Sequence, residues 1–277
     1  MVISIIGTGW LGLPLAKKLT EEGHTVFASK QTQDGISQLK QMGINSFFCQ
    51  LTDENNQIET EALAMTLKKQ NCEILIGAFP PGFRRGAGEQ YSHQWQQLVS
   101  AAQQTNIKKI IMVSSTTVYP SEPEVMEEPE ASLDKAKENT AYSENSRIML
   151  QAEDYLINSE IDYSILRFSG LINQQRHPSR FVLHLKQVSK AAPANMLHLD
   201  DAISSIQFAI NQLTNEIVNV TTPNTVSKAD FYQAALNAVN SENNLPPVVD
   251  IPDKSISTKK LIAQGFKYKY HHILEAI

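Results

Sequence analysis

Cysteine is scarce in this sequence, and the chain has neither a long apolar run nor an excess of basic residues. Cys49 and Cys72 are its only cysteines and lack metal-ligand spacing, so we expect no disulfide framework, no metal site and a reducing compartment. No apolar run approaches the ~18 residues that cross a bilayer. Basic residues do not precede the first apolar run, so we expect no signal peptide. The net charge of −5 offers no basic field to nucleic acid or acidic lipid. These absences predict a cytoplasmic protein without nucleic-acid or membrane partners.

Short apolar runs rich in β-branched residues alternate with amphipathic stretches through the first two-thirds of the chain. The runs are continuously apolar, which is typical of parallel strands covered on both faces. They cover residues 2–6, 25–28, 46–49, 74–77, 109–113 and 163–166. Between the first two runs, Leu11, Leu15 and Leu19 recur at the spacing of one helix face. Strand and helix repeated in this order predict an α/β fold with a doubly wound parallel sheet, the Rossmann fold.

The alternation stops after residue 170. Residues 171–197 carry few strand signals, whereas Asp200 and Asp201 are placed to begin a helix, and Ser227 with Asp230 resembles a capping box. We therefore predict a dinucleotide-binding domain over 1–170 and a smaller, mostly helical substrate lobe over 171–277 that partly returns to the sheet. Residues 120–141 are rich in Glu and Pro and form either a solvated surface loop or a flap over the active site.

A glycine-rich motif follows the first strand directly and opens the first helix. It has the G-x-G-x-x-G form and consists of Gly7, Thr8, Gly9, Trp10, Leu11 and Gly12. In this context the first glycine permits a tight turn, the second allows a pyrophosphate to approach the backbone, and the third lets the helix pack on the strand. The helix N-terminus offers its N–H groups and dipole to the phosphates. The motif therefore predicts a dinucleotide site.

The end of the second strand predicts which dinucleotide binds. A protein selective for NAD places Asp or Glu about 20 residues after the glycines to hold the ribose 2′-hydroxyl. This sequence has Ser29 and Lys30 there, followed by Gln31 and Thr32. An ammonium group attracts a 2′-phosphate and hydroxyl groups can donate to it, so we predict NADP in preference to NAD. The alternative is that Lys30 points into solvent.

Two later segments are placed for the same ligand. Asp53 follows the third strand, where its carboxylate can reach the adenine amino group. Phe79 and Pro80 follow the fourth strand, where the backbone would pass beside the ribose near the nicotinamide.

Residues from the fifth strand onward resemble those of extended short-chain dehydrogenase/reductases, the NAD-dependent epimerase/dehydratase family. The resemblance is carried by the segments 110–119, 166–170, 198–202, 217–220, 259–261 and 265–270, and it covers essentially the whole chain. It implies hydride transfer between a nicotinamide cofactor and a carbonyl or alcohol. It also implies that His198, within a His-x-x-Asp stretch, is structural.

The resemblance implies catalytic roles at two places and departs from the family at one of them. A Ser or Thr four residues before the turn's aromatic bonds the substrate oxygen in that family, and matching on Tyr119 gives Ser115. The family also uses a Tyr and a Lys four residues apart as its acid–base pair. Here Tyr142 is followed four residues later by Ser146. If Arg147 instead takes the place of the lysine, the tyrosine position becomes Ser143, and matching residues 147–151 to the family's Lys-x-x-x-Glu pattern favours this second register. Arginine can hold ribose hydroxyls but cannot relay a proton.

Two classes of function remain open. The first is an NADP(H)-dependent reductase, dehydratase or epimerase acting on a sugar-like or nucleotide-linked carbonyl or alcohol, with Ser115, Tyr142 and Arg147 as its catalytic residues. The second is a dinucleotide-binding protein without chemistry that senses redox state or serves a partner protein, as the broken Tyr–Lys pair suggests. The partner in the first case is a small molecule, which could be a nucleotide sugar. Family members commonly form dimers, so the resemblance also implies a homodimer as a candidate assembly.

Overall fold

Seven parallel strands form the central sheet of the computed structural model, which describes residues 1–51, 57–83, 86 and 88–277. Numbered in chain order, these strands are β1 Val2–Ile6, β2 Thr25–Lys30, β3 Asn45–Phe48, β4 Ile74–Gly77, β5 Lys109–Ser115, β7 Asp162–Phe168 and β11 Glu216–Val220. Their order across the sheet is β11-β7-β5-β4-β1-β2-β3. The chain moves outward in one direction from β1 to β3 and then restarts beside β1 at β4. This reversal is the switch point at which doubly wound sheets bind ligands.

The six strands predicted from apolar runs are all present, each within two residues of its predicted bounds. Ile3, Ile5, Leu75 and Ile76 have no solvent exposure, as expected for strands that are covered on both faces. The doubly wound α/β fold predicted from the sequence is thereby confirmed.

Helices connect these strands and cover the sheet. The first of them, α1, begins at Gly12 and buries Leu15 and Leu19, which is the face that their spacing predicts. The helices are α1 Gly12–Glu21, α2 Gln33–Gln41, α3 Gln57–Gln70, α4 Gly88–Gln103, α5 Leu133–Glu138, α6 Glu144–Ile157, α7 Ser179–Val182, α8 Leu199–Gln212, α9 Lys228–Ala238 and α10 Lys259–Ala263. The predicted cap of α9 is present, since the Ser227 hydroxyl accepts the Asp230 N–H at 3.0 Å.

The chain divides into two compact units that alternate along the sequence. The first comprises Met1–Ser114, Glu144–Leu166 and Ile206–Ile217; the second comprises Ser115–Ser143, Arg167–Ser205 and Val218–Ile277. This alternation differs from a single boundary at residue 170, and the two domains expected from the sequence stay a prediction.

A buried lysine of the first unit caps the C-terminal end of α8. Lys109 is 8% exposed, and its ammonium group donates to the carbonyl oxygens of Leu213 and, at 2.5 Å, of Ala209. The last carbonyl groups of a helix have no partner within the helix, so a cation there satisfies both their hydrogen bonding and the helix dipole.

The second unit contains short strand pairs in addition to its helices. The short strands are β6 Val125–Met126, β8 Gly170–Ile172, β9 Val188–Ser189, β10 Met196–His198, β12 Val248–Val249 and β13 Ser255–Ile256, and they pair as β8–β10, β9–β12 and β6–β13. Arg167, which is 1% exposed, fastens the Glu- and Pro-rich segment. Its guanidinium group donates to the carbonyl oxygens of Glu128 at 2.9 Å and Ala131 at 3.0 Å. The segment predicted as a surface loop or a flap is therefore held in place at these points and includes α5.

Candidate functional site

The turn between β1 and α1 tolerates only glycine at its first and third motif positions. Gly7 has φ +94°, and a Cβ atom there would lie 2.6 Å from the backbone nitrogen of Phe79. A Cβ atom at Gly12 would lie 2.4 Å from the Gly7 carbonyl oxygen. Both contacts are too short for any side chain, so this sequence pattern is required for the turn to close.

Gly9, unlike Gly7 and Gly12, has open space where a side chain would be. It is exposed, and a Cβ atom there would meet nothing within 4 Å. Its N–H group donates to the Gly7 carbonyl at 2.8 Å, and its carbonyl accepts the Leu13 N–H at 3.0 Å. The turn is thus braced by its own backbone, while the space above Gly9 stays open beside the N-terminus of α1. Half-buried Trp10 and buried Leu11 complete the turn.

Thr8 carries a buried hydroxyl group within this turn. The residue is 3% exposed, and its Oγ1 has no hydrogen-bond partner among the described residues. Leaving a buried hydroxyl unpaired costs on the order of 1–3 kcal/mol, and a phosphate oxygen would accept its proton. The orphaned hydroxyl, the open space over Gly9 and the helix N-terminus together fit the pyrophosphate of a dinucleotide.

Ser29 and Lys30 at the end of β2 both contact the glycine turn. The Ser29 side chain is buried and accepts the Gly7 N–H at 3.1 Å, so it anchors the turn. The Lys30 ammonium group donates to the Thr8 carbonyl at 2.6 Å. Lys30 therefore lies at the turn and does not extend freely into solvent.

The backbone of Phe79 lies next to the glycine turn. Its side chain belongs to an aromatic cluster that the sequence did not predict. Its ring stacks on Trp95 at a centroid distance of 5.2 Å and meets Tyr91 edge-on at 5.6 Å. A Cβ atom at Gly77 would lie 2.3 Å from the Trp95 ring, which explains the glycine at the end of β4. Pro80 is exposed next to this cluster. Asp53 lies outside the described residues.

Ser115 ends β5 and has a hydroxyl group suited to donate. Its Oγ accepts the Thr117 N–H at 3.1 Å and lies 2.9 Å from the Thr117 hydroxyl oxygen. Either hydroxyl can donate in the contact between them; when Thr117 donates, the Ser115 proton is available to a ligand. The residue is half-buried in the second unit.

Tyr142 lies in the second unit too, but its hydroxyl group is already engaged. It donates to the carbonyl oxygen of Glu130, and the residue is 3% exposed. Burial raises the pKa of Tyr142 above its usual value, and the carboxylates of Glu130 and Glu122 raise it further. These surroundings stabilise the neutral phenol and favour a structural role over acid–base work.

Arg147 is half-buried in the first unit. Because α6 begins at Glu144, Tyr142 lies outside that helix, and one-turn helical spacing does not relate it to Arg147. Ser146, which lies four residues after Tyr142, is 1% exposed.

A second buried polar contact in the first unit was not predicted. The Ser114 hydroxyl donates to a carboxylate oxygen of Glu153 at 2.5 Å, and both residues are at most 3% exposed. The two residues are separated by 39 positions, so no local pattern indicates their contact.

Residues 7–194 match the profile of the NAD(P)H-binding family. The match begins at the first glycine of the motif and covers more than half of the chain. The chain belongs to the NAD(P)H-binding family. It is also 30% identical over 248 residues to the protein YeeZ of Escherichia coli (strain K12). This alignment covers 83% of the present chain and 81% of YeeZ.

Solved structures share the fold of this family member over nearly its whole length. A protein from Methylobacillus flagellatus assigned as an NAD-dependent epimerase/dehydratase has a TM-score of 0.74 at 22% identity, with 99% and 94% of the two chains covered. The UDP-glucuronic acid 4-epimerase from Bacillus cereus in complex with NAD has a TM-score of 0.73 at 17% identity, covering 100% and 97%. The predicted resemblance to the NAD-dependent epimerase/dehydratase family is confirmed, and these identities show a common fold.

Residues 1–51, 57–83, 86 and 88–277 contain no group of three or more His, Cys, Asp or Glu side chains placed to hold a metal ion. Over the same residues, no helix is both long and apolar enough to cross a membrane.

Proposed function

We propose that this protein is an NADP(H)-dependent oxidoreductase that acts on a carbonyl or alcohol of a sugar-like or nucleotide-linked small molecule. The observation that carries the proposal is the turn of Gly7, Gly9 and Gly12 with the unpartnered Thr8 hydroxyl at the N-terminus of α1. Membership of the NAD(P)H-binding family supports the cofactor class.

The residues of the first unit would hold the cofactor at three points. The Thr8 hydroxyl and the N–H groups at the start of α1 would bind the pyrophosphate. Lys30, which already contacts the turn at the Thr8 carbonyl, would attract the 2′-phosphate of NADP(H). The nicotinamide, when bound, supplies or accepts the hydride.

Ser115 would donate a hydrogen bond to the substrate oxygen and so polarise the carbonyl bond. Thr117 orients the Ser115 hydroxyl by the two contacts described above. When a carbonyl is reduced, the substrate oxygen takes up one proton as the carbon receives the hydride, and Tyr142 or an ordered water would deliver that proton. Because the Tyr142 hydroxyl donates to the Glu130 carbonyl, it would have to leave this carbonyl to act. Arg147 remains a candidate for holding ribose hydroxyls.

The substrate class is inferred from the fold. The structural neighbours include enzymes named as epimerases of nucleotide sugars, and doubly wound sheets bind ligands at the carboxyl edge of their strands. An epimerase oxidises a carbon and reduces it from the other face, so a reductase and an epimerase would use the same groups.

A second candidate is an NADP(H) sensor without turnover. It is favoured by the engagement of the Tyr142 hydroxyl with a backbone carbonyl. The lack of the Tyr–Lys pair favours it too, since Ser146 follows Tyr142 at the family's spacing and Ser143 precedes Arg147 at that spacing. Such a protein would bind the cofactor but transfer no hydride.

Turnover assays on matched variants separate these candidates. NADPH oxidation would be followed with a panel of aldehydes and ketones, and sugar epimerisation with UDP-glucose and UDP-glucuronic acid. We expect Ser115→Ala to slow turnover by more than about tenfold while the NADPH affinity changes less than about twofold, because Ser115 meets substrate only. The control Ser121→Ala alters an exposed serine and should turn over normally. Cofactor binding without turnover on any substrate would select the sensor, and no cofactor binding would reject both.

A further inference from the structure

Residues 115–119, the Ser115 turn, form one short turn at the end of β5. Thr116–Val118 make a 3₁₀ turn that Ser115 caps and Tyr119 ends. The Ser115 hydroxyl accepts the Thr117 N–H at 3.1 Å, and the Tyr119 N–H donates to the Thr116 carbonyl at 3.3 Å. Hydrogen bonds in such a turn have poorer geometry than those of an α-helix. Contacts from outside the turn are therefore needed to keep Ser115 in one orientation.

The side chain of Tyr119 supplies the first of these contacts. Its hydroxyl donates to the side-chain oxygen of Asn219 at 2.7 Å and accepts an N–H of Arg167 at 3.0 Å. The Arg167 guanidinium also lies over the Tyr119 ring, 5.2 Å from its centre. All three residues are at most 1% exposed. One phenol thus joins the end of the Ser115 turn to side chains of β7 and β11.

Only a neutral hydroxyl can make both of these bonds, because a phenolate has no proton to donate to Asn219. Burial raises the pKa of Tyr119 to about 12, although Arg167 beside it acts in the opposite direction. The phenol is therefore neutral at pH 7. Phenylalanine would fill the same space and leave Asn219 and Arg167 without this partner.

Lys254 holds the backbone of the same residue. Its ammonium group donates to the Tyr119 carbonyl at 3.0 Å and to the Pro120 carbonyl at 3.1 Å. Lys254 directly precedes β13, far along the chain from the turn that it contacts. The end of the Ser115 turn is thus held twice, through the Tyr119 hydroxyl and through the Tyr119 carbonyl, by groups from different segments of the second unit.

We propose that Tyr119 and Lys254 are positioning residues, which hold the Ser115 turn so that its hydroxyl meets the substrate oxygen in one orientation. Neither residue touches the substrate, and both act through Ser115. The proposal rests on the proposed function, in which Ser115 polarises the substrate carbonyl. Displacing a catalytic group by about 1 Å can slow an enzyme about a hundredfold, so loosening this turn lowers turnover.

Four variants of the full chain test the proposal. Tyr119→Phe removes the hydroxyl, and Lys254→Met removes the ammonium group but keeps a long side chain. Lys254→Arg is the conservative variant, since it retains N–H donors for the two carbonyl groups. The control Tyr268→Phe removes another buried tyrosine hydroxyl of the second unit, which contacts Thr258 and not the Ser115 turn.

Turnover is measured for each variant with and without Ser115→Ala. We expect Tyr119→Phe and Lys254→Met each to lower kcat by about tenfold while the NADPH dissociation constant changes less than about twofold. Lys254→Arg should restore most of the lost turnover, and Tyr268→Phe should keep kcat within about twofold of the wild type. In the Ser115→Ala background neither Tyr119→Phe nor Lys254→Met should lower kcat further, because the group that they position is gone.

Amide hydrogen exchange, followed by NMR, tests the same contacts without turnover. The Thr117 N–H donates to the Ser115 hydroxyl, so its exchange rate reports how firmly the turn is held. We expect this rate to rise about tenfold in Tyr119→Phe and in Lys254→Met and to stay within about twofold in Tyr268→Phe. Thermal melting shows that each variant is folded, and if Tyr119→Phe does not fold, Lys254→Met and Lys254→Arg decide the outcome.

Two results would overturn the proposal: unchanged Thr117 exchange in the anchor variants, or the same fractional loss of kcat whether or not Ser115 is present. An equal loss of kcat in Tyr268→Phe would attribute the effect to stability and overturn it too. A wild type that binds NADPH but turns over no substrate would reject the oxidoreductase. The exchange rates would then still show whether Tyr119 and Lys254 hold the turn.

Discussion

The Lys30 ammonium group donates a hydrogen bond of 2.6 Å to the carbonyl oxygen of Thr8. The two residues belong to the end of β2 and to the glycine turn, so the contact joins a cation to the turn that would hold the cofactor phosphates. The alkyl stem of Lys30 passes beside Gly35 in α2, where a Cβ atom would lie 3.0 Å from it. The ammonium group is therefore positioned before any ligand arrives.

Removing this cation should change the choice of cofactor. In Lys30→Ala we expect the NADPH affinity to fall about tenfold, which is about 1.4 kcal/mol, while the NADH affinity changes less than about twofold. The control Lys40→Ala removes an exposed lysine from the last turn of α2 and should bind both cofactors normally. Titration by fluorescence or calorimetry of the wild type and both variants measures the six dissociation constants. Equal losses for NADPH and NADH, or tighter binding of NADH by the wild type, would contradict the assignment.

Substituting alanine at two glycines of the same turn should have different effects on stability. Gly9→Ala adds a methyl group to open space, so the melting temperature should hold while NADPH affinity falls by about tenfold or more, because the methyl group occupies the phosphate position. Gly12→Ala forces a methyl group against the Gly7 carbonyl and should cost about 2 kcal/mol of stability as well as cofactor binding. Melting curves and NADPH titrations are compared for both. Unchanged cofactor affinity in Gly9→Ala would place the phosphates elsewhere.

Two neighbouring lysines, one directly before β5 and one at its first position, should contribute unequally to stability. Lys109→Met leaves the carbonyl groups of Ala209 and Leu213 without their donor, and we expect the free energy of unfolding to fall by about 2 kcal/mol. Lys108→Met breaks an exposed pair with Glu73 at 2.9 Å and should cost at most about 0.5 kcal/mol. Urea denaturation gives both values. Equal effects would mean that Lys109 is not needed to cap α8.

His198 should make stability depend on pH below neutrality. Burial lowers the pKa of its imidazole, whose Nδ1 accepts the Asp200 N–H at 3.1 Å. The unfolded imidazole takes up a proton near pH 6.5, whereas the folded one resists it, so the folded state loses stability as the pH falls below 6.5. His198→Asn keeps an acceptor but cannot titrate, so its melting temperature should fall less between pH 7 and about pH 5.

The control for this prediction is His93→Asn, since His93 is exposed on α4 and its loss should leave the pH profile of the wild type unchanged. A profile that is the same in His198→Asn and in the wild type would remove His198 as its source.

The sequence predicted the sheet and the glycine turn because both are specified locally. The β-branched runs mark strands buried on both faces, and Gly7 and Gly12 lie within the same short turn where their backbone atoms meet. Position in the chain was enough to place Lys30 near that turn, but not to show that its ammonium group bonds the Thr8 carbonyl.

Local sequence patterns do not predict contacts between residues that lie far apart in the chain. Ser114 and Glu153 meet across 39 positions, and the bond that the Ser29 hydroxyl accepts from the Gly7 N–H was not predicted. That Ser29 donates its own proton to a phosphate stays a prediction. The engagement of Tyr142 with Glu130 depends on how the Glu- and Pro-rich segment folds back, which no periodicity indicates. Whether Tyr142 is the acid–base residue stays a prediction that Tyr142→Phe tests by its turnover.

Both tryptophans of the chain lie in the first unit, Trp10 within the glycine turn and Trp95 beneath Phe79. Indole emission therefore comes from the nucleotide-binding part of the molecule alone, while the second unit contributes tyrosine signals. A single fluorescence trace can follow melting of the first unit separately from far-ultraviolet circular dichroism, which sums over both. Intrinsic tryptophan fluorescence can therefore report cofactor binding without an attached dye.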